Sequence, residues 1–311
     1  MGQVFHSVSE LVGNTPLMEL CAFEKKHGLQ AKILAKLEFM NPVGSIKDRT
    51  AMSMLDRAEV AGTIRPGMAL ILPSQGDMSV SVAALAAARG YRVIIVVPER
   101  CSQERRRLFR YLGAELVLTE TLRGMKGAIA KAKEMARTMP DSYLVDPFED
   151  PSNPLAHKVS TGLEIWNDTA GKVDVFVAGV GSGGTITGVG EYLKLLNPAV
   201  RVVAVEPANS PMLSQGRPGA AKIRGIGASF IPKVLNTSVY DEIICVTDED
   251  AYRTAREIAR VEGILPGVSS GAALWACAQI AKRSEYRDKH IVTIFSDSAE
   301  RYIETDIFDE W

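Results

Sequence analysis

The sequence predicts an α/β protein in which two parallel-rich sheets are covered by helices. Apolar strand-like runs alternate with helix-like stretches along most of the chain, and strands followed by helices in this way form parallel pairs joined by crossovers. The strand runs are rich in Val and Ile and do not alternate in polarity, as expected of strands buried on both faces. Between two groups of such units lies DPFEDPSNPL (146–155), a proline-rich acidic segment that reads as a connection.

Taken in order, AKILAKLE (31–38) reads as a strand, with a helix from about Ser45. MALILP (68–73) is the next apolar run, followed by a helix from about Ser79. YRVIIVVPE (91–99) is the most β-branched, and SQERRRLFRYLG (102–113) follows it as a helix whose basic run ERRRLFR reads as a solvated face. AELVLT (114–119) and GMKGAIAKAKEMART (124–138) complete the first group. The pattern resumes with VDVFVAGV, TITGVGEYLKLL and RVVAVEP, and later HIVTIFS. Two domains are expected, residues 1–147 and 148–311.

Bulk properties exclude several classes. The 311 residues are 46% hydrophobic, enough for a large core, and the net charge of −1 gives no basic footprint for nucleic acid. Apolar runs are too short to cross a bilayer, and MGQVFHS lacks the features of a signal peptide, so a cytoplasmic location is expected. Cys21, Cys101, Cys245 and Cys277 are far apart, as are His6, His27, His157 and His290, so buried thiols are expected and no metal site.

Three stretches carry chemistry. In NPVGSIKDR (41–49) a turn leads to Lys47 near a helix start, where the positive dipole end favours a neutral amine able to form a Schiff base. Alone, this stretch is better read as a surface lysine paired with Asp48. In GVGSGGTITG (179–188) glycines between a strand and a helix, with Ser182 and Thr185 as donors, suit a phosphate. The same stretch fits a dinucleotide fingerprint at Gly179, Gly181 and Gly184, with Glu206 as a ribose-binding acid, so a nicotinamide-dependent dehydrogenase stands as a third reading. In TIFSDSAERY (293–302) a strand ends in hydroxyls, at the place where ligands of open sheets collect or where helices are capped.

Together with LVGNTPLMEL, SQERR, NPLAH, RGIGASFIP and EGILPGVSSGAAL, these stretches resemble, in order and over nearly the whole chain, the fold type II (tryptophan synthase β-like) pyridoxal-phosphate enzymes. The resemblance is greatest to the cysteine synthases (O-acetylserine sulfhydrylases) and cystathionine β-synthases. It implies pyridoxal 5'-phosphate as cofactor, Lys47 as the Schiff-base lysine, Gly181, Ser182, Gly183, Gly184 and Thr185 as the phosphate loop, and Ser298 facing the pyridine nitrogen. It also implies a homodimer acting on a small amino acid by loss of a β-substituent, followed by addition of a nucleophile such as sulfide. A neutral serine hydroxyl at the pyridine nitrogen suits such elimination, because it limits electron withdrawal into the ring.

One motif departs from the family. Its substrate-carboxylate turn usually reads TSGNTG, whereas this chain has Ser74, Gln75, Gly76, Asp77, Met78 and Ser79. The resemblance puts Ser74, Gln75, Gly76 and Met78 at the substrate and Asp77 at the cofactor's ring oxygen, with Pro147 in place of a further carboxylate-binding Gln. Each lost donor to a carboxylate forfeits roughly 1.5–3 kcal/mol. Asp77 would favour a protonated Schiff base if ionised, or donate to the ring oxygen if protonated. Arg224, where acetylserine enzymes carry Gln, reads as a partner for an anionic leaving group or as a surface arginine. Two readings follow: β-elimination or β-replacement on an O-activated serine or cysteine-like amino acid with altered specificity, or a cofactor-binding scaffold or regulator with impaired catalysis.

Overall fold

A computed structural model describes residues 4–74 and 76–309. Among these, ten strands form two sheets: β1 (Leu17–Glu19), β2 (Lys32–Leu37), β3 (Ala69–Leu72), β4 (Arg92–Pro98), β5 (Glu115–Thr119), β6 (Ser142–Leu144), β7 (Val175–Gly179), β8 (Arg201–Pro207), β9 (Glu242–Val246) and β10 (His290–Phe295). The chain divides into two compact units, one made of the chain up to Val12 with Lys47–Asn153, the other of Gly13–Ile46 with the chain from Pro154.

The first unit holds the parallel sheet β5-β4-β3-β6. Strand β3 is buried along its whole length, as expected of a central strand covered on both faces. Ala69, Ile71, Ile94 and Val96 pack with Ala128 and Ala132 of the helix Gly124–Thr138. The helix Asp77–Ala88 also belongs to this unit and is buried on most of its surface. It begins at Asp77, ahead of the expected start near Ser79. Gly76 serves as the N-cap, and an acidic side chain in the first turn is favoured by the helix dipole.

The second unit holds the sheet β1-β2-β10-β7-β8-β9, parallel except for β1 against β2. Successive strand residues face opposite cores. Val175, Val177, Val203, Val205, Ile291 and Phe295 share one cluster with the helices Asp248–Val261 and Val268–Ala281. Phe176, Ala178, Val202, Ala204, Val292 and Ile294 share the other with Ile186, Val189 and Leu193 of the helix Gly184–Leu196. Both faces are apolar, which is why these strands show no alternation of polarity.

The expected boundary at residue 147 is corrected in two ways. The chain passes between units at Asn153, still within the proline-rich segment, and residues 13–46 belong with the second unit. The reason is register: β2 pairs in parallel with β10 from Lys32 opposite His290 to Leu37 opposite Phe295. Fully buried Lys36 strengthens this placement, with Glu164 at 2.9 Å, Asp168 at 3.0 Å and the Thr15 carbonyl at 2.6 Å. Two further expectations change. Of the thiols expected to be buried, Cys21 is exposed, beside Glu19 and Glu24, and Cys245 is half-buried. The basic run 104–110 is not wholly a solvated face, because Arg105 and Phe109 turn inward.

At the sheet edge, Arg283 holds the Glu242 carboxylate through two contacts of 2.9 and 2.6 Å and keeps it below the usual carboxylate range. A depressed carboxyl contributes stability above its unfolded pKa that is lost as pH falls through the folded value. The pair is partly open to solvent, so Glu242→Gln is expected to cost about 0.5 kcal/mol at neutral pH and nothing in strong acid. Thermal unfolding of both proteins across the acid range checks this; a difference that persists in strong acid contradicts it.

Candidate active site

Residues 41–46 form the turn that precedes Lys47. The Gly44 N–H donates to the Asn41 carbonyl at 2.8 Å with φ at +81°, and Arg301 donates to the Val43 carbonyl. The Ile46 N–H donates to the Ser296 carbonyl at 2.9 Å, and Ser45 bridges Asp297, so the turn is tied to the C-terminal end of β10. Lys47 itself is the first residue of the helix Lys47–Val60 and is half-buried. The surface position expected of this stretch when read alone is not found for Asp48. Asp48 is fully buried and accepts from the Ser81 hydroxyl at 2.5 Å.

The turn after β3 is held by its own serines. The Ser74 hydroxyl accepts from the Gly76 N–H at 3.2 Å, and the Ser79 hydroxyl donates to the Ser74 carbonyl at 2.5 Å. Gln75 lies outside the described residues. Met78 is buried and presents no polar donor. Asp77 meets a partner the sequence reading missed: Arg105 Nη1 donates to its Oδ1 at 2.9 Å, with both side chains about a tenth exposed, at 11% and 10%. A guanidinium has only donors, so Oδ1 is an acceptor in this contact. Arg105 was within reach of the sequence, since SQERR carried the resemblance, but no spacing rule links it to an acid on another helix.

In the second unit, GVGSGGT joins β7 to the helix Gly184–Leu196. Gly183 is the N-cap with φ at +85° and has no side chain to cap the first turn, which leaves that turn's N–H groups to an outside acceptor. A Cβ on Gly183 would lie 2.7 Å from Leu235 Cβ, and one on Gly181 would lie 2.3 Å from the Gly225 carbonyl oxygen. The RGIG segment is thus packed on the glycine loop, and the Gly227 N–H donates to the Val180 carbonyl at 2.9 Å. Arg224, at the start of that segment, is exposed. Thr185 Oγ1 lies 3.3 Å from His157 Nε2. A loop of this kind, with hydroxyls of Ser182 and Thr185 and an uncapped helix start, has the donor chemistry of a phosphate ester seat.

Ser298 is half-buried at the N-terminus of a 3-10 turn, Ala299–Tyr302, and its hydroxyl accepts from the Glu300 N–H at 3.4 Å. It therefore acts as a cap and keeps its own proton for another acceptor. Glu206, the candidate ribose acid, is 1% exposed and occupied by the N–H groups of Leu213 and Ser214 at 2.7 and 3.0 Å. That engagement removes the support for a dinucleotide reading.

Breaking the Asp77–Arg105 pair leaves a largely buried charge without its guanidinium or carboxylate. Arg105→Gln and Asp77→Asn are each expected to cost about 2 kcal/mol, and the double variant less than their sum by about 1–2 kcal/mol. Urea denaturation of the set checks this; strict additivity contradicts it.

Comparison with known proteins gives a consistent result. A family model described as "Pyridoxal-phosphate dependent enzyme" matches residues 8–297. Cysteine synthase B of Campylobacter jejuni is 46% identical over 306 residues, covering 98% of this chain and 99% of that protein. Among solved structures, O-acetylserine sulfhydrylase isoform 3 from Entamoeba histolytica has a TM-score of 0.96 at 40% identity, covering 99% of this chain and 93% of that one. O-ureido-L-serine synthase has a TM-score of 0.94 at 37% identity, covering 99% and 96%. The chain belongs to the pyridoxal-phosphate dependent enzyme family, and pyridoxal phosphate is its cofactor.

Proposed function

We propose that this enzyme catalyses β-elimination or β-replacement on an O-activated serine or a cysteine-like amino acid, with a specificity shifted from O-acetylserine toward a substrate with a good or anionic β-substituent. The observation that carries the shift is the rewritten turn. Asp77 is committed to Arg105 and Met78 is buried, so neither supplies a donor to a substrate carboxylate. The likeness to O-ureido-L-serine synthase supports a changed substituent on an unchanged fold.

In this reading Lys47 is the amine that would hold the cofactor and would move the proton at the substrate Cα. Gly181, Ser182, Gly183, Gly184 and Thr185 hold the cofactor phosphate through backbone N–H groups and hydroxyls. Ser298 would hold the pyridine nitrogen with its hydroxyl as the donor, which would leave that nitrogen neutral. Pyridoxal phosphate, when bound, supplies the electron sink that stabilises negative charge at Cα. Ser74, Gln75 and Gly76 orient the amino acid, and the exposed Arg224 guanidinium meets the anionic leaving group. Among the described residues no helix is long and apolar enough to cross a membrane, in keeping with a cytoplasmic enzyme. The family resemblance supports a homodimer.

The purified holoenzyme is expected to show a lysine-linked visible chromophore that Lys47→Ala abolishes. Among O-acetylserine, O-phosphoserine, serine and cysteine, the phosphoserine ester is expected to give the largest spectral change, reduced about tenfold by Arg224→Gln. Restoring the common turn through Gln75→Ser, Asp77→Asn and Met78→Thr is expected to raise reactivity with O-acetylserine at least tenfold. A chromophore that no amino acid perturbs would sink the enzymatic reading and favour a scaffold or regulator.

A further inference from the structure

Behind the glycine loop lies a buried chain of side-chain hydrogen bonds. His157 opens a π-helical turn, His157–Thr161, a rare geometry that recurs at functional sites. The helix Gly184–Leu196 approaches it closely: a Cβ on Gly188 would lie 2.1 Å from the Pro154 carbonyl oxygen and 2.9 Å from His157 Cβ. This approach brings the imidazole, 1% exposed, to the helix's first turn. Nδ1 lies 3.0 Å from Thr161 Oγ1, and Nε2 lies 3.3 Å from Thr185 Oγ1.

The protons can be assigned along this chain. Thr161 is fully buried, and among the described residues its hydroxyl has His157 Nδ1 as its hydrogen-bond partner. A buried hydroxyl without an acceptor is strongly disfavoured, so Thr161 donates to Nδ1. A neutral imidazole has one N–H, which then resides on Nε2 and donates to Thr185 Oγ1. With its oxygen accepting from the imidazole, the Thr185 hydroxyl points its own proton elsewhere. The reverse direction, Thr185 to Nε2, would spend that proton on the histidine and strand the Thr161 proton.

We propose that His157 is a positioning residue of the cofactor-phosphate seat: as the Nε2–H tautomer it orients Thr185 so that the threonine hydroxyl donates to the phosphate. This rests on the reading of Gly181–Thr185 as the phosphate loop. The same logic fixes ligand-binding histidines elsewhere, where the hydrogen bond on one ring nitrogen decides the role of the other.

The tautomer is read directly in ¹⁵N-histidine-labelled holoenzyme by long-range ¹H–¹⁵N correlation, with His157→Gln identifying the signals. Protonated Nε2 with unprotonated Nδ1 is expected; a proton on Nδ1 overturns the proposal even if no variant folds. Cofactor dissociation constants give a second measure. His157→Phe and Thr185→Val are each expected to weaken binding about tenfold, His157→Gln about threefold or less, and the double variant His157→Phe/Thr185→Val no more than Thr185→Val alone. An unchanged constant in His157→Phe beside a weakened Thr185→Val, or additive losses in the double variant, overturns the role of His157. An unchanged constant in Thr185→Val overturns the phosphate-loop reading and the proposal with it.

Discussion

The parallel pairing of β2 with β10 is the constraint on which the second unit depends. It seats an early strand, with β1 on its outer side, beside the last one, in a sheet whose other strands come from the second half of the chain. An added strand in such a sheet must satisfy two apolar faces, and Ile33, Ala35 and Leu37 on one side and Leu34 on the other do so. Beyond the strand ends the turn that precedes Lys47 returns to the same segment, with the Ile46 N–H donating to the Ser296 carbonyl and Ser45 forming a separate antiparallel bridge to Asp297. The β2–β10 pairing and the turn that precedes Lys47 thus meet at the C-terminal end of β10.

The glycine loop and the turn after β3 are held by two kinds of contact, and these differ in what they tolerate. The glycine loop is shaped by backbone, with Gly181 against the Gly225 carbonyl and Gly183 against Leu235, so a side chain at either place collides with neighbours that cannot rotate away. Among the described residues of the turn after β3, Ser74 and Ser79 are held by side-chain hydrogen bonds, and the exchanged Asp77 and Met78 are accommodated by Arg105 and by burial. On the proposed function, cofactor retention and substrate choice would rest on different residues, so that one could change while the other is kept.

Much of this was legible in the sequence. Glycines crowded between a β-branched strand and a helix announce an anion seat, and Val and Ile runs without alternation announce a doubly covered sheet. What was not legible depends on contacts between residues far apart in the chain. The pairing of β2 with β10 has no local signature, so the first unit reads as continuous when it is not. Arg105 reads as one charge in a basic run because its acid is on another helix. His157, dispersed among other histidines, gains a role only through a close approach that Gly188 permits. Glu206 shows the converse: its spacing fits a ribose acid, and the fold uses it to cap a short helix.

The π-helical turn at His157–Thr161 makes the chain length there consequential. Such a turn holds one residue more than an α-helical turn spanning the same rise. Loss of one residue between His157 and Thr161 would draw the segment back to an ordinary α-helical turn, with the two positions three apart rather than four and still on one face. The flanking helix would keep its direction, and what would change is the spacing across which Thr161 reaches Nδ1. The length of this short segment, and not only its side chains, therefore sets the hydrogen bond on the imidazole.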